Sequence, residues 1–274
     1  MWPFERMSKS GVLRICRDAI ELWVLAPGGM ALQRREVLAT AMNLPALEDA
    51  VARLFAVPWG AGARRVDVVL ESCWLPIMAL HPSSRHRDVA ALESLLRERF
   101  AHLHESGEDP VGQWALQVDG LPGEAVVLGY GLPARVGDCI ARALRSAKLQ
   151  ALSIQPALAW ARAHDSQRLA RRHSGWWFWQ EADRTVVMGL ERGRTTSLHP
   201  AILPLHDGVD LAAIAAAEAA RTGTSPGGSV LVGAWSEPRL PDRGARWLGV
   251  ASPQGSAPAR PATVSAMPSA QERP

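Results

Sequence analysis

Residues 175–200 read GWWFWQ, EADR, TVVMGL, ERGR and TTSLHP in succession: three runs of strand-forming residues separated by two short polar turns. This is the pattern of three consecutive antiparallel strands. An Ala-rich helical stretch follows at 210–221, then SVLVGAW at 229–235, an apolar run suited to a strand covered on both faces, and a last short strand is expected at 246–250. The same succession stands near the N-terminus. Residues 11–17 and 20–25 read as a tight hairpin, 30–38 add a third strand, and Leu47, Val51, Leu54 and Phe55 mark the apolar face of a helix expected to end at Pro58. VDVVL at 66–70 is then the buried strand. The chain thus repeats an architecture, three strands, a helix and a strand, without repeating a sequence.

Between the two copies lie further elements. A short strand is expected at 74–80, interrupted by Pro76 and so placed at a sheet edge. A helix follows, with Asp88 as N-cap and Val89, Leu92, Leu95, Leu96 and Phe100 as its buried stripe. Residues 114–118 and 125–130 read as a strand pair. A helix bearing Val136, Ile140 and Leu144 on one face leads to a strand at 149–154, and Pro156 suits the first turn of a helix expected to reach about 172. These elements divide the chain into a first lobe at 8–155 carrying an insert at 74–130, a second lobe at 156–250, and a Pro/Ala/Ser tail at 251–274 that is expected to be disordered.

Composition narrows the function classes. Of 274 residues, 47% are hydrophobic and 21% charged, as in a globular protein. A formal net charge of +3 is too balanced for an obligate nucleic-acid binder, so no nucleic-acid partner is expected. Lys9 and Lys148 are the only lysines, so the excess of arginine reads as codon bias rather than recognition chemistry. Cys16, Cys73 and Cys139 lie far apart without metal-ligand spacing and are expected to be small buried hydrophobes in a reducing compartment. No apolar run is long enough to cross a bilayer, and the first residues lack the apolar core of a signal peptide; a cytoplasmic location is expected.

The residues also carry a resemblance. VDVVLESCWLPIMAL at 66–80, RDVAALESLLRERF at 87–100, GYGLPARVGDCIARALRSAKLQALSIQPALAWARAH at 129–164 and the strands from Gly175 follow one another in an order and spacing similar to the PilM and GspL-cytoplasmic-domain group of the actin-like ATPase superfamily. The resemblance covers 11–250. It implies an α/β, actin-like fold: two ribonuclease-H-like lobes, a small α+β insert in the first and a reduced second lobe. It further implies a cytoplasmic scaffold, peripheral to the inner membrane, that binds a PilN-like inner-membrane platform protein of a type IV pilus or type II secretion system. The groove expected to receive it lies in or beside the insert, with strand addition to the insert's edge as one mode. GspL-like members continue into a membrane helix; the Pro/Ala/Ser tail here resembles the free-standing PilM type.

Nucleotide-binding members of the superfamily wrap phosphates with two Gly-rich hairpin turns, because glycine lets backbone N–H groups approach closely, while acidic residues position the metal. The corresponding turns here are Cys16-Arg17-Asp18-Ala19 and Glu181-Ala182-Asp183-Arg184, both without glycine, and the Gly-Gly pair of the adenosine side is reduced to Gly233-Ala234. Asp18, Asp183 and Gly233 are therefore the positions of a degenerate nucleotide site. No cofactor and no enzymatic activity are expected; the alternative is ATP with Mg held through non-standard loops.

Other chemistries were weighed. A ribonuclease-H nuclease would need converging carboxylates, for which Asp18, Glu48 and Glu71 are the nearest candidates, although Asp18 sits in a turn and Glu48 reads as a first-turn helix acid. No G-x-S-x-G is present. GWWFW invites a sugar-platform reading, but alternation puts Trp176 and Phe178 on one face and Trp177 and Trp179 on the other, so at least one face is expected to be core. The segment 162–173, with Arg162, Arg168, Arg171 and Arg172, reads as a solvated helix face or, more sharply, as a contact for anionic lipid headgroups.

Overall fold

The computed structural model describes residues 10–249 except 27–28, 58–63, 84, 87, 105–109, 121–123, 165–173, 182–183, 202–209, 224–228 and 235–245. The expected tail, Asp183 and Arg168, Arg171 and Arg172 lie outside the described residues.

Strands β1 (Ser10–Ile15), β2 (Ala19–Ala26) and β3 (Gly29–Val37) lead into α1 (Leu44–Leu54) and β4 (Arg65–Leu70). The chain then forms β5 (Ile77–Leu80), α2 (Val89–Leu103), β6 (Ala115–Asp119) and β7 (Val127–Leu132) before α3 (Ala134–Ser146), β8 (Gln150–Pro156) and α4 (Ala157–His164). The second set comprises β9 (Gly175–Gln180), β10 (Thr185–Glu191), β11 (Arg194–Ala201), α5 (Leu211–Thr222), β12 (Ser229–Ala234) and β13 (Arg246–Gly249).

Two five-stranded sheets have the same topology, β3-β2-β1-β4-β8 and β11-β10-β9-β12-β13. In each, the first three strands pair antiparallel and the last two join parallel to the first. The architectural repeat is therefore a repeat of strand order as well. The turn between β10 and β11 shows why the local sequence folds this way: Arg192 and Gly193 both take positive φ, 51° and 76°, the backbone that a two-residue hairpin matched to strand twist requires. Helix starts follow the same logic. Side-chain oxygens of Asn43, Asp88 and Asp210 accept from the backbone N–H three residues on, at 2.9, 2.8 and 2.9 Å.

Helix α1 stops at Leu54, short of the expected Pro58, because Phe55 already leaves helical geometry with its N–H bonded to the carbonyl of Val51. Glu48 lies in the second turn of α1 rather than the first, and pairs with Arg142 of α3 at 2.6 Å, tying the two helices across one face of the first sheet. The expected strand at 74–80 begins only at Ile77, since Trp74 and Leu75 turn back to bond the carbonyl of Glu71.

The aromatic run in β9 is buried on both faces. Trp176 and Phe178 pack with Leu211 and Ala215 of α5, whereas Trp177 and Trp179 belong to the largest core cluster, which also holds Leu158, Trp160 and Ala161 of α4 and the apolar residues of the first sheet. One continuous core thus joins the two sheets, and no tryptophan of β9 is available as a sugar platform. The insert forms its own sheet, β5-β7-β6, with β5 at an edge, covered by α2 through Leu92, Leu96 and Phe100. Asp119 of β6 accepts from Arg162 of α4 at 2.9 Å, which fastens the insert to the connecting helix.

Candidate functional site: the cleft between the hairpin turns

The two sheets present equivalent corners. The β1–β2 turn is closed by a bond from Cys16 N–H to the Ala19 carbonyl, and the β9–β10 turn by one from Glu181 N–H to the Arg184 carbonyl, both 2.8 Å. Cys16 and Glu181 are therefore counterparts, each the first residue after the strand at the centre of its sheet.

On the first corner the backbone is occupied by protein. The indole N–H of Trp74 donates to the Cys16 carbonyl at 2.6 Å, Met42 N–H to the Arg17 carbonyl at 3.0 Å, and Leu38 N–H to the Asp18 carbonyl at 2.8 Å. Asp18 itself is exposed in the turn. Burial pushes the Cys16 thiol well up, so it stays a neutral, packed group.

The second corner reaches across to the first sheet. Glu181 is 3% exposed, and one of its carboxylate oxygens accepts from the Ser72 N–H at 3.0 Å and from the Ser72 hydroxyl. Burial, reinforced by the charge of Glu71, pushes its pKa up to about 7, although the Ser72 bonds oppose the shift. Behind Ser72 lies a buried ionic cluster. Arg14 donates to Glu71 and, at 2.9 Å, to Glu21, while Trp23 Nε1 donates to Glu21 at 3.0 Å and Arg35 approaches the same carboxylate at 3.6 Å. Beside the corner remains a cavity of about 260 Å³ lined by Met42, Ser72, Cys73, Pro76, Ile77 and Arg184.

Gly233 is placed mid-strand in β12, beside β9. A Cβ there would come within 2.7 Å of Trp177 Nε1 and 2.9 Å of Trp179 Cε3, so the missing side chain makes room for two indoles. Because both neighbours are rigid rings, Gly233→Ala is expected to lower stability by about 2 kcal/mol in urea titration. An unchanged midpoint would mean that the indoles can move aside.

Asp18, Glu48 and Glu71 are not brought together: the first is in an exposed turn, the second pairs on the helix surface and the third is buried against Arg14. No group of three or more His, Cys, Asp or Glu side chains that could hold a metal ion occurs among the described residues. What the arrangement does chemically is bond the β9–β10 corner to the segment that follows β4. Glu181, Ser72 and Arg14 were not legible as site residues. The signal that could have found Glu181 is its equivalence to Cys16 in the repeated hairpin.

The comparisons with known proteins bear on the fold. No family model and no curated protein matches the sequence. Among solved structures, the chain is similar to a Bacteroides thetaiotaomicron protein with an actin-like ATPase fold, at TM-score 0.53 and 11% identity over 87% of this chain and 86% of that one. It is also similar to a chain of the PilM–PilN type IV pilus biogenesis complex, at TM-score 0.50 and 15% identity over 72% of this chain and 62% of that one. The fold is actin-like. A third similarity, at TM-score 0.48, is to the cytoplasmic domain of EpsL, an inner membrane component of the type II secretion system of Vibrio cholerae, with 16% identity over 90% of each chain. In this actin-like protein no helix among the described residues is long and apolar enough to cross a membrane.

Proposed function

We propose that this actin-like protein is a scaffold without ATPase activity, which docks onto the cytoplasmic part of a PilN-like inner-membrane component of a type IV pilus or type II secretion-like assembly and so sits at the inner membrane. The observation that carries the non-enzymatic part is the Glu181–Ser72 contact. A carboxylate from one hairpin corner is bonded to the backbone N–H of the other sheet, in the cleft where nucleotide-binding members of the superfamily hold phosphate. A triphosphate entering there would have to displace that carboxyl group and break its bonds to Ser72. The likeness to the PilM–PilN chain supports the choice of partner.

Two measurements test the reading. Calorimetry with Mg-ATP on the full chain is expected to give no heat of binding and no thermal stabilisation; micromolar binding would overturn it in favour of an ATP-dependent protein. Co-purification with the cytoplasmic segment of a PilN-like inner-membrane protein of the same organism is expected to give a stable complex, and failure to form one would remove the docking role.

A further inference from the structure

The insert leaves part of its own sheet uncovered. Strands in a sheet stand about 4.8 Å apart and a helix is about 10 Å across, so one helix covers about two strands of three. Here α2 is drawn over β7 and β6. Gly129 and Gly131 of β7 have no side chains, and a Cβ on them would run into Leu96 and, at 3.1 Å, Phe100. The helix settles onto these glycines and reaches Leu80 of β5, which is 2% exposed, but leaves Met78 of that strand only partly buried.

The result is a groove of about 320 Å³ between β5 and the flank of α2. Its floor is apolar: Met78 and Leu80 from the strand, Leu95 and Leu103 from the helix. Leu103 is 66% exposed, an uncommon position for leucine at the end of an otherwise amphipathic helix. Every ionisable side chain among the lining residues is basic or imidazole: His81, Arg99 and His102. β5 packs beside β11 of the second sheet, so the uncovered feature is the face of the strand rather than a free-standing edge.

We propose that this groove receives an acidic amphipathic helix of a protein partner, lying alongside α2 over β5, with its apolar stripe on Met78, Leu95 and Leu103 and its carboxylates against Arg99 and the two histidines. The partner helix covers Met78, Leu95 and Leu103, which the insert's own packing leaves partly or largely open. This inference rests on the reading of the protein as a docking scaffold, and names the chemistry of one partner that reading requires.

The test uses the full chain and a displayed library of random 16-residue peptides on a helix-forming frame. Peptides enriched on the protein are expected to carry Leu, Ile or Phe at three- and four-residue spacing flanked by Asp or Glu. Their affinity is expected to fall about tenfold or more with either Leu103→Glu or Arg99→Glu, both at the exposed rim and both leaving the thermal unfolding midpoint in place. Arg99→Glu is further expected to admit Lys-flanked counterparts of the same peptides. Enriched peptides without acidic flanks, or insensitive to both variants, would overturn the proposal. So would Arg99-dependent pelleting with anionic phosphatidylglycerol vesicles, dimerisation lost in Leu103→Glu, or a tenfold gain in peptide binding on deleting 1–9 or 252–274, since these would assign the groove to lipid, to a second copy or to the chain's own ends. If the membrane partner's cytoplasmic segment still binds both variants fully, the groove assignment fails while the scaffold reading stands; if that segment does not bind the unaltered chain, the scaffold reading fails by itself.

Discussion

Glu71→Ala is expected to be the most damaging single change in the cleft, lowering the free energy of unfolding by about 3–5 kcal/mol in a denaturant titration. Glu71 is fully buried and bonded to Arg14, which is itself 8% exposed. Deleting the carboxylate removes little apolar contact, but it leaves a buried guanidinium without one of the two carboxylates it donates to. Arginine cannot escape by losing its proton, so the cost appears in stability. The control is the double change Arg14→Met with Glu71→Leu, which withdraws both charges and fills a similar volume. Its loss is expected to be smaller than that of Glu71→Ala, because an apolar pair is tolerated where half of an ion pair is not. If the single and double changes cost the same, Arg14 is being reached by water when Glu71 is absent.

The second large effect is a pH dependence centred on Glu181. In the unfolded chain this carboxyl titrates near its ordinary 4.5, whereas in the folded protein burial beside Glu71 raises it to about 7. The folded state therefore holds a proton that the unfolded state has released. Stability from this group is complete below about pH 4.5 and is lost as the pH rises through about 7, by about 3 kcal/mol in all. Glu181→Gln keeps an oxygen to accept from the Ser72 N–H and removes the titration. The variant is expected to match the parent at pH 4 and to exceed it by about 3 kcal/mol at pH 8, with the difference growing between about pH 4.5 and 7. A difference that stays constant with pH would show that the carboxyl remains solvated and is not sealed against Ser72.

Much of the fold was legible because it depends on local chemistry. The polar turns at 181–184 and 191–194 separate successive strands, the N-cap Asp88 stands where expected, the Ala-rich helix begins after Asp210, and Pro76 accompanies an edge strand. The alternation in GWWFWQ correctly separated two faces; that both are buried depends on α5 from one side and α4 from the other, and these arrive from distant parts of the chain. The cleft was far less legible. Arg14 and Glu71 are 57 residues apart, Ser72 and Glu181 are 109, and nothing in the residues around any of them announces a partner. Glu181 reads locally as one more acid in a solvated turn, as Asp18 does in the equivalent turn. Glu181, like its counterpart Cys16, is buried at the end of a central strand and there meets Ser72, whereas Asp18 stands two residues further into its turn and is exposed. Gly233 shows the same limit: its Cα faces two indoles that strand pairing brings alongside.

By itself the order of residues determined that the chain would fold twice into three antiparallel strands, a helix and a parallel strand, and that neither hairpin corner would carry a glycine. Hydrophobic period and turn chemistry act within a few residues and are written along the chain. Tertiary structure alone decided that the β9–β10 corner would bond to Ser72, that Glu181 would keep its proton to near neutrality, and that Met78 of β5 would be only partly covered among the described residues. Those outcomes follow from which charges end up buried together and from how much of a sheet one helix can span, quantities that exist only once the segments have met.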